Sequence, residues 1–226
     1  MKNYYYYGLS LSIFVMAVVA FTACEDDDNP KVVSYLNCPD DHHPHLIDLG
    51  LPSGTLWACC NVGASIPEGY GGYYAWGETE EKSEYSKDNY VFFEQGLQAF
   101  RDLGHNILGT EHDVAHVRWG GQWQMPSREQ FLELDHNCSS EWTNVNGVNG
   151  RKFLGKNGGS IFLPAAWCRW VENTSDYTGL LGFYWLGRNQ AQNDFQAEFI
   201  RIDMNGLYII NGSPCYGYPV RPVIKR

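Results

Sequence analysis

Beyond residue 150 the sequence breaks into short apolar runs separated by glycine, asparagine and proline. That punctuation limits the fold more than any other feature of the chain. Arg151-Lys152-Phe153-Leu154-Gly155 and Ser160-Ile161-Phe162-Leu163-Pro164 flank Lys156-Asn157-Gly158-Gly159. This is a hairpin signal, because asparagine and glycine accept the positive φ angles of tight antiparallel turns. Further strand-like runs cover 183–187, 197–202, 207–210 and 218–224. Upstream, 45–49 and 55–62 read as strands about a Pro52-Ser53-Gly54 turn, and 63–77 reads as a loop rich in glycine and tyrosine. Residues 78–88 are charged and expected to be exposed, while 90–103 is open between strand and helix. Two helices are expected between these halves. Thr110 is placed to cap 111–118, and Ser127 with Gln130 forms a capping box ahead of Phe131, Leu134 and Cys138 on one face. Helices early and antiparallel strands late predict an α+β fold rather than a parallel βαβ sheet.

The N-terminus decides which residues belong to that fold. Lys2 opens a segment whose core, 8–21, is charge-free and apolar. At roughly 14 residues it is too short for a membrane span and fits an export signal. It ends in Phe21-Thr22-Ala23-Cys24, which resembles a lipobox with Phe21 where leucine is usual. Residues 1–23 are thus expected to be a lipoprotein signal peptide and Cys24 the lipidated residue, its acyl chains (palmitate among them) anchoring the protein through many buried methylenes. Glu25-Asp26-Asp27-Asp28 and Asn29-Pro30 open an acidic tether over 24–37. The acidic run is similar to the export signal of Bacteroidota-type outer-membrane lipoproteins, which implies the cell-surface side. An acidic run repels anionic head groups, so it is no lipid-binding patch.

One domain, 38–226, remains. The chain is 44% hydrophobic and 15% aromatic, enough for a globular core, and its formal net charge of -10 excludes an ordinary nucleic-acid binder. Six cysteines follow Cys24: Cys38, Cys59, Cys60, Cys138, Cys168 and Cys215. They permit disulfides or buried thiols equally, and no pairing is assigned. Neighbouring Cys59 and Cys60 on a strand would face opposite ways, one buried and the other exposed or bridged.

Several motifs carry a family likeness. They are 47–58 (IDLGLPSGTLWA) with Cys60-Asn61-Val62-Gly63-Ala64, then Tyr74-Ala75-Trp76-Gly77-Glu78-Thr79, then 119–127 (WGGQWQMPS). Residues 158–166 (GGSIFLPAA), Tyr184-Trp185 and Val220-Arg221-Pro222-Val223 complete the set. In this order, over nearly the whole mature chain, they resemble the Fibrobacter succinogenes major paralogous domain, common among lipoproteins of gut Bacteroidota. The resemblance implies a C-type lectin-like fold: N- and C-terminal strands paired, two helices, short antiparallel strands and long loops. Departures from the family pattern are Cys59 for threonine, Gln124 for arginine, and Leu186-Gly187 where two serines are usual.

Candidate chemistry is sparse. His112 and His116 share a helix face that fits a metal or simply a polar surface. Asp40-Asp41-His42-His43-Pro44-His45 would catch transition metals adventitiously or by design. Neither completes a recognisable ligand set, so no metal or cofactor is expected. Glu78, Glu80, Asp176 and Asp194 supply carboxylates in loops, but no motif pairs them, and no G-x-S-x-G nucleophile is present. Cys168 and Cys215 lack the context of formylglycine-type oxidases, and the calcium motifs of lectins are not intact. Aromatic loop residues remain: Tyr70, Tyr73, Tyr74, Trp76, Trp167, Trp170, Tyr177 and Tyr184. Such rings stack on sugars, bury at protein interfaces or pack a loop-rich core. The expected function is a non-catalytic, lipid-anchored binding or adhesion module at the cell surface, its ligand a glycan or a protein. A structural subunit of a surface assembly and a polysaccharide hydrolase are the alternatives.

The leader makes a direct prediction. Replacing Cys24 with serine is expected to abolish incorporation of labelled palmitate and move the chain from the membrane to the soluble fraction.

Overall fold

The computed structural model describes residues 46–171, 176–189 and 196–225. The leader, Cys24, the tether, Cys38, the 40–45 acidic-histidine cluster and Asp194 lie outside the described residues. β1 (Leu46–Asp48) and β2 (Leu56–Ala58) form the antiparallel hairpin expected about the 52–54 turn. β11 (Val223–Ile224) joins them in the order β1-β2-β11, so the C-terminal strand lies beside β2 rather than β1. This small sheet is a partition. Leu46, Leu56, Ala58 and Ile224 face one hydrophobic core, while Ile47, Trp57 and Val223 face the other. Alternate residues of a strand point to opposite faces, so a strand buried on both faces reads as a continuous apolar run.

β8 (Gly182–Asn189), β9 (Ala197–Asp203) and β10 (Gly206–Gly212) form an antiparallel sheet in the order β10-β9-β8, with a register irregularity between Trp185 and Asn189. β8 serves both cores, since Phe183 and Trp185 enter the first while Tyr184 and Leu186 enter the second. The expected hairpin about 156–159 pairs β6 (Val148–Leu154) with β7 (Ser160–Pro164). Sequence reasoning missed β5 (Ser139–Val145), a largely exposed strand that pairs with β6. Its signal was the Asn146-Gly147 turn, where φ is 50° and 88°, as a two-residue hairpin loop requires. Residues 90–103 resolve into two minimal strands, β3 (Phe93–Glu94) and β4 (Ala99–Phe100). Of the 218–224 run, only β11 is regular strand; Pro219 and Pro222 lack the N–H a ladder needs.

α1 (Val114–Trp119) starts later than Thr110 implied, because Asp113 is its N-cap. The buried Asp113 carboxylate accepts from the amides of Ala115 and His116, and also from Gly109 and Met125. Thr110 Oγ1 instead donates to the Ile107 carbonyl. α2 (Arg128–Asn137) begins at the expected Ser127–Gln130 capping box and buries Phe131 and Leu134. Phe131 meets Trp57 edge-on, with ring centroids 4.7 Å apart. Two helices and four small antiparallel sheets among the described residues make the fold α+β. None of these helices is long and apolar enough to cross a membrane.

The C-terminal strand is locked by one side chain. Arg221 is fully buried, and its Nε donates to Asn61 Oδ1 at 2.8 Å. Nη1 donates to the Ala58 and Cys59 carbonyls, and Nη2 to those of Pro67 and Phe162. Every N–H of the guanidinium therefore has an acceptor. Arg221→Met fills similar space but leaves buried oxygens without donors. It is expected to lower stability on the order of 4 kcal/mol, roughly 10 °C in Tm by circular dichroism.

Candidate functional site

Indole and phenol groups pin the loops that build the surface. Trp76 Nε1 donates to the Leu186 carbonyl at 2.9 Å, and Trp185 Nε1 donates to the Tyr74 carbonyl at 2.7 Å. These two bonds fasten the 63–77 loop to β8 in both directions. Tyr90 hydroxyl donates to the Trp76 carbonyl, and Tyr184 hydroxyl to that of Pro164. A polar atom at the tip of a large ring lets it fill a core and still satisfy a loop carbonyl.

The eight aromatic candidates consequently divide. Tyr74, Trp76, Trp167 and Tyr184 are buried, at 2%, 3%, 8% and 0% exposure, and their rings offer no open face to a ligand. Tyr70, Tyr73 and Trp170 are half-buried, and Tyr177 is exposed. Tyr177 lies edge-on against Trp167 at 4.9 Å. Trp167 adopts φ 55°, a left-handed conformation unfavourable for a bulky residue. The turn there leads directly into Cys168-Arg169-Trp170.

Tyr73 and Trp170 share a surface groove of about 760 Å³, which is within the usual range of small-ligand clefts. Its walls come from three segments: Tyr73 from the first loop, Lys82, Glu84 and Tyr85 from the charged loop, and Arg169 and Trp170 from the segment after β7. Backbone bonds hold them together, with Val171 N–H donating to the Tyr85 carbonyl at 2.9 Å and Arg169 exchanging two bonds with Gly217. Gly217 is needed at that crossing, because a Cβ would stand 2.8–2.9 Å from carbons of the Tyr85 ring. Tyr85 hydroxyl donates to the Tyr73 carbonyl, and Tyr73 hydroxyl donates to that of Ala166 at 2.6 Å. The 78–88 segment, expected to be exposed, is only partly so, since Tyr85 and Glu78 are buried.

Charges in the groove differ in their commitments. Lys82 is bound to Glu78 at 2.8 Å and to Asn89. The Arg169 guanidinium lies 4.8 Å above the Tyr73 ring, an attractive cation–π arrangement. Glu81 and Glu84 are exposed at the groove, with no salt bridge among the described residues. Trp170 stacks on Tyr216 at 4.8 Å and 29°, which fixes the plane of its indole. Burial pushes the Tyr73 hydroxyl up to about 12, with Arg169 pulling the other way. Burial likewise pushes Tyr74 and the Cys168 thiol up to about 12.

Other sequence candidates are accounted for locally. Glu78 is committed to Lys82 and the Val91 amide, and Glu80 to Arg118 at 2.5 Å. Asp176 is fully exposed, and hydrogen bonds from Thr178 hold its carboxyl below the usual range. His112 approaches Glu111 at 3.7 Å and packs edge-on against Phe92. No group of three or more histidine, cysteine or acidic residues among the described residues is placed to hold a metal. Cys59 and Cys60 are both buried thiols, the second of the two states the sequence left open; β2 ends at Ala58, so strand alternation does not extend to them, and Cys60 Sγ donates to the Ala64 carbonyl. Sequence reasoning missed Arg169, Tyr85, Lys82, Glu81 and Glu84 as groove residues. No local motif marks them, since long-range backbone pairing brings their segments together. Against known protein families, curated proteins and solved structures, the chain finds no match.

The raised values set an alkaline limit. Cys168 ionises near 9 and Tyr73 and Tyr74 near 10 when unfolded, but each near 12 when folded. In that window the unfolded chain loses protons first, so stability falls as pH rises. Denaturation midpoints measured across pH are expected to decline from about 9 toward 12, with the earliest part of the decline shallower in Cys168→Ala, where the buried Cys215 and half-buried Cys138 thiols, also pushed up, still contribute.

Proposed function

We propose that the protein is a non-catalytic binding module, displayed at the cell surface on a lipidated Cys24, and that the Tyr73–Trp170 groove is where it binds. One observation carries this reading. Two half-buried aromatic rings, an arginine and two acidic residues from segments far apart in sequence converge on a single cleft. Such convergence of ring faces with donors and acceptors is the usual composition of a recognition site. The leader and acidic tether support display at the outer membrane, and the quoted motifs support membership of the Fibrobacter succinogenes major paralogous domain family. A C-type lectin-like arrangement is favoured by the C-terminal strand lying in the sheet of the N-terminal hairpin, with two helices and long loops between.

Cells displaying the wild-type chain should retain fluorescent polysaccharides or labelled surface proteins that cells displaying Trp170→Ala lose by roughly tenfold. Tyr208→Ala, at an exposed aromatic outside the groove, should behave as wild type. The retained ligand should be recovered chemically intact. Equal retention by Trp170→Ala, or cleavage of the ligand, would overturn the proposal.

A further inference from the structure

Resting on that reading of the groove, we infer that its ligand is a neutral oligosaccharide. The first argument is the mixture of charges. Arg169 offers a fork of donors, while Glu81 and Glu84 offer carboxylate acceptors, all exposed along one cleft. A hydroxyl both donates and accepts, so a ligand dense in hydroxyls uses both kinds of group. A uronate or sulfated chain would meet two carboxylates on a protein of formal net charge -10. Committing Lys82 to Glu78 removes the second cation that an anionic ligand would need.

The second argument is the shape of the apolar surface. Tyr216 holds Trp170 in a fixed plane at the groove, and Tyr73 is held by its hydroxyl bond and by Arg169. Flat rings held still suit the apolar face of a pyranose, which stacks on an aromatic without a deep pocket. A protein partner would instead need an apolar anchor site. Among the described residues lining the groove Val171 is the only aliphatic side chain, and Glu81 and Glu84 flank the rings, whereas the cores of protein interfaces are depleted of acidic side chains. The same rings and charges therefore favour a sugar over a peptide.

The test is calorimetric titration of the full chain in detergent with neutral oligosaccharides, their uronate- and sulfate-bearing counterparts, and peptides. Neutral oligosaccharides are expected to bind, with affinity reduced roughly tenfold in Trp170→Ala and severalfold in Arg169→Gln. Arg169 is exposed, so the second variant remains informative even if the first loses stability. The double variant Glu81→Gln, Glu84→Gln should admit acidic oligosaccharides that the wild type refuses. Binding of acidic oligosaccharides or peptides alone, sensitive to Trp170→Ala, would overturn the inference and leave the groove as the binding site. Neutral binding unaffected by Trp170→Ala and Arg169→Gln would overturn both. Failure of every probe would overturn the inference, while the cell-retention experiment reports separately on the binding module.

Discussion

The guanidinium of Arg221 joins parts of the chain that no continuous secondary structure connects. It lies fully buried and donates to Ala58, Cys59, Asn61, Pro67 and Phe162. A buried charge is costly unless every donor is satisfied, and here rigid backbone carbonyls do most of the satisfying. The arrangement fixes the end of β2, the loop after it, β7 and the C-terminal strand in one relation. The neighbouring backbone repeats the tie, because Ala58 and Val62 amides donate to the Pro222 and Val220 carbonyls. Closing a long chain costs conformational entropy, and these bonds gather that closure at one place.

From that closure follows the partition between two cores. With β11 held against β2, the small sheet has no solvent face, and Trp57 packs on Phe131 while Leu56 and Ala58 pack on the other side. β8 repeats the pattern with Trp185 and Tyr184 on opposite faces. Large aromatics suit such a two-sided arrangement, since each fills much volume and still places a polar tip on a loop carbonyl. The long loops are therefore fastened by core residues rather than by regular structure.

The groove inherits its geometry from those fastenings. Tyr73 follows from the pinned 63–77 loop, Tyr85 from its bond to the Tyr73 carbonyl, and Arg169 from its pairing with Gly217. Side chains held this way lose little freedom when a ligand arrives, which lowers the entropic cost of recognition. The division among the aromatics has the same origin. Trp76 and Tyr184, whose polar tips close loops, are buried, while Tyr73, fastened in the same way to Ala166, and Trp170 stay accessible at the groove.

The hairpin about 156–159 and the capping box at Ser127 were legible in the sequence, because turn chemistry and caps depend on residues a few positions apart. The start of α1 was misplaced because Asp113 is chosen as cap by bonds to Gly109 and Met125 as well as to the helix itself. Composition and pattern determined an α+β chain rich in aromatics, and named the residues that build its loops. Which ring became core and which became surface was decided only in three dimensions. Tyr73 and Tyr74 are adjacent and chemically identical, yet one lines the groove and the other is buried at 2% exposure. Neighbouring residues in an extended segment point to opposite sides, and only the packing of distant strands determines which side is solvent.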